Sequence, residues 1–148
     1  MKNLKCGIDC KGVSALALIH DGNGNILLQQ RGKQARDEQG KWDFCGGAVE
    51  FGQSIVVTIK RELMEELSTE PISMQLLTAY DAHRNINGSR TNWVAIVYAV
   101  KVNPASVKIG EPHKIDRIDW FTSANLPSPR HSQFDKSYSV ARSLNIIK

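Results

Sequence analysis

Glu62, Glu65 and Glu66 lie in one short segment, Arg61-Glu-Leu-Met-Glu-Glu66. On a helix turning about 100° per residue they fall within an arc of roughly 100°, so three carboxylates crowd one face. Like charges held this close repel one another. They also border an apolar stripe, where an unpaired charge is expensive. A hard divalent cation relieves both problems, because Mg²⁺ takes carboxylate oxygens together with substrate phosphates. Arg61 can pair with one carboxylate and hold it in place. Upstream, Gly46, Gly47 and Gly52 let the backbone approach a ligand closely. A solvated acidic helix face is the plainer reading. The glycine-rich turn and the nearness of the carboxylates to the apolar stripe weigh against it.

These residues need a helix, and the spacing predicts one. Val56, Ile59, Leu63 and Leu67 recur at intervals of three and four, Ser54 is a plausible N-cap, and Pro71 stops continuation. Before it, Val13–His20 and Ile26–Gln30 flank the turn Asp21-Gly-Asn-Gly-Asn25, which reads as a β-hairpin. Residues 31–41 are polar and read as an exposed loop, and Trp42–Cys45 reads as a short strand. After the helix come strands at Met74–His83, Trp93–Val102 and Ile115–Phe121, with a turn at Asn85–Gly88. A closing helix is expected over Phe134–Ile147. Hairpins mixed with a central helix predict an α+β chain built as an α/β/α sandwich rather than a doubly wound sheet.

The 148 residues are expected to form a single domain, 1–148, large enough for a real core. Apolar residues make up 41% and charged residues 23%, which excludes a disordered or fibrous chain. No apolar run approaches the roughly 20 residues of a membrane span, and the first residues have no signal-peptide core. Three cysteines at no metal-ligand spacing argue for a reducing, cytoplasmic setting. A net charge of +4 favours an anionic ligand without forming a basic stripe, so nucleic acid is not the expected partner.

The segment from Gly47 to Thr69 resembles the signature of the Nudix hydrolases, Gly-x5-Glu-x7-Arg-Glu-hydrophobic-x-Glu-Glu-x-Gly-hydrophobic. Gly47, Arg61, Glu62, Leu63, Glu65 and Glu66 match, and Trp42-Asp-Phe-Cys-Gly-Gly47 is similar to the usual approach, with Cys45 where proline is common. Three positions depart: Gln53 stands for the first glutamate, Ser68 for the late glycine and Thr69 for the last hydrophobic residue. The resemblance implies a mixed β-sheet between helices. It also implies Mg²⁺- or Mn²⁺-dependent hydrolysis of a pyrophosphate bond in a nucleoside diphosphate derivative. A bound divalent metal would neutralise phosphate charge and activate water. By position, Glu62, Glu65, Glu66 and the Gly47 carbonyl would hold the metal, and Arg61 would orient a glutamate. Gly46, Gly47 and Arg31 would face the substrate. Glu111 is the first choice for a general base outside the signature, ahead of His113 and Asp116. Trp93 and Phe51 are candidates for stacking on a base, although aromatic residues at such places are more often core. Cys45 reads as a small buried residue.

The resemblance implies a nucleotide-type small molecule as substrate. The segment around Asn85–Asn87 lacks the markers of ADP-ribose, dinucleoside polyphosphate and NADH subfamilies, and the compact chain is more similar to nucleoside-triphosphate members. ADP-ribose or nucleotide-sugar hydrolysis is the alternative within the family. A catalytically weak nucleotide-binding module is the alternative outside enzymology, prompted by Gln53 and Ser68. An enzyme of capped RNA ends is a third. Members of the family are often dimers, so a homodimer is admitted by the resemblance and by nothing in the residues themselves.

Overall fold

The computed structural model describes residues 3–148. The elements run β1 (Gly12–His20), β2 (Ile26–Arg31), β3 (Trp42–Asp43), β4 (Cys45–Ala48), α1 (Ile55–Leu67), β5 (Ser73–Ile86), β6 (Ser89–Lys101), β7 (Ile115–Phe121) and α2 (Phe134–Ser143). All seven strands belong to one sheet, with order β3-β2-β1-β6-β5; β4 also pairs with β1, and β7 with β2. The sheet is mixed, because β1 runs parallel to β6 over Gly12–His20 while the other pairings are antiparallel.

Alternation along β1 divides the interior in two. Ala15, Ala17 and Ile19 face a layer with Ile59, Leu63 and Leu67 of α1. Leu16 and Leu18 face the other layer, with Trp42, Phe44 and Phe134. A strand sends successive side chains to opposite faces, so a strand covered on both sides is apolar throughout. The result is the helix–sheet–helix sandwich expected from the sequence. No helix among the described residues is long and apolar enough to cross a membrane.

Several expected details change. The first two strands pair only at Ile19–Leu27 and His20–Ile26, since Ser14–Ala17 of β1 pair with β4 on that side. The strand expected over Trp42–Cys45 breaks at Phe44 into β3 and β4. The β5–β6 turn is tighter than Asn85–Gly88: pairing continues to Ile86–Ser89, leaving Asn87 and Gly88 at φ 52° and 80°. Two left-handed residues suit such a hairpin turn. The last helix stops at Ser143 instead of Ile147, with Asn145 left-handed just beyond it.

Helix α1 is capped as read. Ser54 Oγ accepts from Val57 N at 3.1 Å, and Ser54 O accepts from Thr58 Oγ1 at 2.9 Å. At the other end Ser68 takes the left-handed conformation that glycine usually fills, and its N–H donates to Met64 O at 3.1 Å. The buried stripe is rotated from the predicted one. Thr58, Ile59, Leu63 and Leu67 are buried, whereas Val56 is 36% exposed. Ser54→Ala should lower unfolding stability by about 1 kcal/mol with an unchanged denaturant slope, read by urea titration.

Candidate functional site

The rotation of α1 decides where its acids stand. Ile55, Ile59, Glu62, Leu63, Glu66 and Leu67 share the inward side, so Glu62 and Glu66, one turn apart, line a cavity of about 460 Å³ walled by β1, β2, β4, β5 and β6. Glu65 points outward, with half its side chain exposed. Of the three carboxylates expected on one face beside the apolar stripe, Glu62 and Glu66 turn inward and Glu65 lies at the periphery.

Strand β4 supplies the opposite wall. A Cβ added at Gly47 would stand 2.7 Å from Glu62 Cδ, so only glycine admits the carboxylate against the backbone. Gly46 packs as tightly against β1, where a Cβ would meet Leu16 Cα at 2.9 Å. Gln29 on β2 donates its Nε2 to Glu66 Oε2 at 2.9 Å, and the Cys45 thiol and the Gly46 N–H also donate to Glu66. Burial outweighs these donors and, with the charge of Glu62, pushes Glu66 up to about 7. Burial also raises Glu62, against the pull of Arg61 and with the push of Glu65 and Glu111. The Cys45 thiol is held well above its ordinary range by burial and by the Glu66 charge. Gln29 Oε1 is buried with no hydrogen-bond partner. Two crowded, desolvated carboxylates reluctant to ionise beside an unsatisfied amide oxygen form an all-oxygen donor set, which fits a hard divalent cation.

Arg61 acts as a bracket. Its guanidinium donates to Glu62 Oε1 at 3.0 Å and to Gln53 Oε1, and lies 3.4 Å from Glu50 and 3.9 Å from Glu65. Gln53 thus keeps a hydrogen bond to Arg61 despite lacking a charge. Glu111 is brought in by the loop before β7, which is pinned on the end of α1: Lys108 N donates to Leu67 O at 3.1 Å and Gly110 N to Glu66 O at 2.8 Å. Glu111 is close enough for its charge to act on Glu62. His113 and Asp116 are exposed beyond it. Phe51 is fully exposed and stacks on no ring among the described residues, whereas Trp93 is buried and forms part of the cavity wall.

Arg31 lines the same cavity, with its guanidinium held between two carboxylates. It donates to Asp37 O at 2.8 Å and Asp37 Oδ1 at 3.1 Å, and lies 3.5 Å from Asp43. Residues 31–41 are therefore not simply an exposed loop. Asp37 is 5% exposed, and Glu38 bonds Arg84 at 2.7 Å, Ser132 N at 2.8 Å and His131 Nε2 at 2.7 Å. The Asp37, Glu38 and His131 donor atoms stand close enough to ligate a metal. Arg84 already sits on both carboxylates, so the set reads as an ion-pair clasp. Burial pushes Glu38 up, but the Ser132 N–H, His131, Lys41 and the Ser132 hydroxyl overcome it and bring Glu38 down to about 2. Sequence reading missed Gln29 and this clasp. The signal for Gln29 was the first polar side chain after the apolar run Ile26–Leu28; the clasp joins three separate segments and has no local signal.

The NUDIX domain model matches residues 11–141. The chain belongs to this family. The solved MutT NUDIX hydrolase of Burkholderia pseudomallei superposes on this Nudix chain with a TM-score of 0.75 at 27% identity, covering 89% of this chain and 96% of that one. The NUDIX domain of Shewanella oneidensis NrtR, solved with ADP ribose, shares the fold at a TM-score of 0.74 and 19% identity, over 91% and 88% of the two chains. The CTP pyrophosphohydrolase of Escherichia coli K12 is 43% identical over 60 residues, which are 40% of this chain and 44% of that protein. The match thus spans less than half the length of that curated relative.

Gly47→Ala should displace Glu62 and weaken Mn²⁺ binding, followed by the spin resonance of free ion, by at least about tenfold, with the circular dichroism of the fold unchanged. Lowered below the ordinary carboxylate value of 4.5, Glu38 contributes stability that is complete above that pH and lost as pH falls toward about 2. The stability difference between wild type and Glu38→Gln should accordingly shrink over that interval, read by denaturation at successive pH values.

Proposed function

We propose that this protein is a divalent-metal-dependent pyrophosphohydrolase of nucleoside diphosphate derivatives, with a nucleoside triphosphate as its first substrate class. The observation that carries the reading is the pair Glu62 and Glu66, buried together against the Gly46-Gly47 backbone at the end of a cavity of about 460 Å³. That volume suits a small-molecule ligand such as a mononucleotide. The partial identity to a CTP pyrophosphohydrolase supports a triphosphate substrate.

Glu62, Glu65 and Glu66, with the Gly47 carbonyl, would hold Mg²⁺ or Mn²⁺. When bound, the ion would neutralise charge on the phosphate oxygens and lower the pKa of water. Arg61 keeps Glu62 aimed at the cavity, and Gln29 fixes the rotation of the Glu66 carboxylate. Glu111, held beside the end of α1 by the pinned loop, would accept the proton of the attacking water. Arg31, held between Asp37 and Asp43, would add positive charge to the cavity lining toward phosphate oxygens, and Gly46 and Gly47 leave room for the pyrophosphate against the strand. Each group is fixed before substrate arrives, which is how preorganised charge lowers a barrier. A single domain over 1–148 and a cytoplasmic location belong to the same proposal, the latter supported by three unpaired cysteines.

The test is a hydrolysis panel with Mg²⁺ or Mn²⁺: nucleoside triphosphates, ADP-ribose, nucleotide sugars, dinucleoside polyphosphates and NADH, with products separated by chromatography. Triphosphates should yield a monophosphate and pyrophosphate, and Glu66→Gln should cut turnover by at least about 100-fold with the fold intact. Turnover of ADP-ribose or a nucleotide sugar instead would replace the substrate class. Tight nucleotide binding without turnover of any compound would establish a binding module.

A further inference from the structure

Outside the acidic site, the described chain places two thiols side by side. Cys6 and Cys10 are both exposed, and Cys10 Sγ–H donates to Cys6 Sγ at 3.8 Å. They are partners in a parallel β-bridge, closed by Gly7 N donating to Cys10 O at 2.7 Å. Bridge partners stand about 4.8 Å apart, within the Cα separation of roughly 4.4–6.8 Å that a disulfide needs. The turn between them is already tied: Asp9 N donates to Lys5 O at 2.8 Å and Lys5 N to Asp9 Oδ2 at 2.9 Å.

This turn also packs behind a residue of the cavity wall. Gly7, at φ +85°, lies flat on the Trp93 indole with no room for a side chain, and its carbonyl accepts from Asn92 N at 2.7 Å. Gly12 covers another part of the same indole, and the Arg36 guanidinium sits 5.3 Å from the ring centroid. Trp93 lines the cavity that holds Glu62 and Glu66, and also a second cavity of about 300 Å³ lined by Cys6 and Ile8.

We propose that Cys6 and Cys10 form a reversible dithiol–disulfide site, closed by a small-molecule disulfide of the glutathione type, whose closure stiffens the turn that backs Trp93. The hydrogen bond makes Cys6 the accepting sulfur and therefore the first to attack. Its thiolate bonds one sulfur of the small disulfide, whose S–S bond breaks to release one small thiolate. Cys10 gives its proton to solvent and attacks Cys6 Sγ; the mixed disulfide breaks and a second small thiolate leaves. The protein loses two electrons, the small disulfide gains them, and both small thiolates take up protons. Closure needs the two sulfurs to approach by less than about 2 Å, which side-chain rotation can supply.

The full chain would be equilibrated anaerobically with oxidised glutathione. Its free thiols should fall from three to one, with buried Cys45 the remaining one. The mass should fall by two hydrogens with no glutathione retained, and dithiothreitol should reverse both changes. Cys10→Ser should instead hold glutathione on Cys6. Exchange of the Asn92 amide should slow about tenfold in oxidised wild type and stay unchanged in treated Cys10→Ser. A stable glutathione adduct on wild type, or three surviving thiols, would overturn the site. Disulfide formation with unaltered Asn92 exchange would overturn its coupling to Trp93. Stoichiometric Zn²⁺ binding that protects both thiols from oxidation would make the pair a metal site instead.

Discussion

Two like charges on the inner side of one helix are the constraint around which this molecule is arranged. Glu62 and Glu66 occupy positions that packing alone would give to leucine, between Ile59 and Leu67. Burying carboxylates there costs stability unless each finds donors or a cation. The surroundings are shaped to supply them. Arg61 holds Glu62 from the solvent side, while Gln29, Cys45 and the Gly46 N–H hold Glu66 from the sheet side. These donors stop short of satisfying the pair, since Glu66 remains pushed up to about 7. A site that neutralised its acids fully would have nothing left to offer a metal.

The sheet makes that arrangement rigid. β1 pairs with β4 on one side and with β6 on the other, at the same residues, Ser14–Ala17. The glycine strand facing α1 is therefore anchored to the centre of the sheet. Gly47 can touch Glu62 because β4 is held at fixed depth, and Gln29 can reach Glu66 because β2 joins the sheet beside β1. A site built on strands and a helix tolerates less drift than one built on loops.

The helix and its acids were legible because their signals are local: a period near 3.6, a serine cap, a proline stop and glycines at a fixed offset. The two-layered core was legible from the apolar strands flanking that helix. What escaped depended on distant partners. Val56 fits the stripe by spacing, yet α1 is turned by its contact with β4 so that Thr58 is buried in its place. The parallel pairing of β1 with β6 joins residues some eighty positions apart, and no residue in either strand announces it. Asp37, Glu38, Arg84 and His131 look like scattered surface charges until the loop, β5 and the segment before α2 meet.

That clasp bears on what the cavity accepts. The acidic end is fixed by residues matching the family signature, so it argues for the bond that is broken and says little about the rest of the substrate. The rest of the lining includes Arg31, Arg84, Asp37 and His131 with Trp93, and nearly every one of these charges is already answered by another. A ligand entering there meets fixed dipoles and an aromatic wall rather than a free charge. Such a surface rewards hydrogen bonds in set directions and penalises a polar group it leaves unmatched. On the proposed function, discrimination among nucleotides would fall to the clasp, and the chemistry common to the family to Glu62 and Glu66.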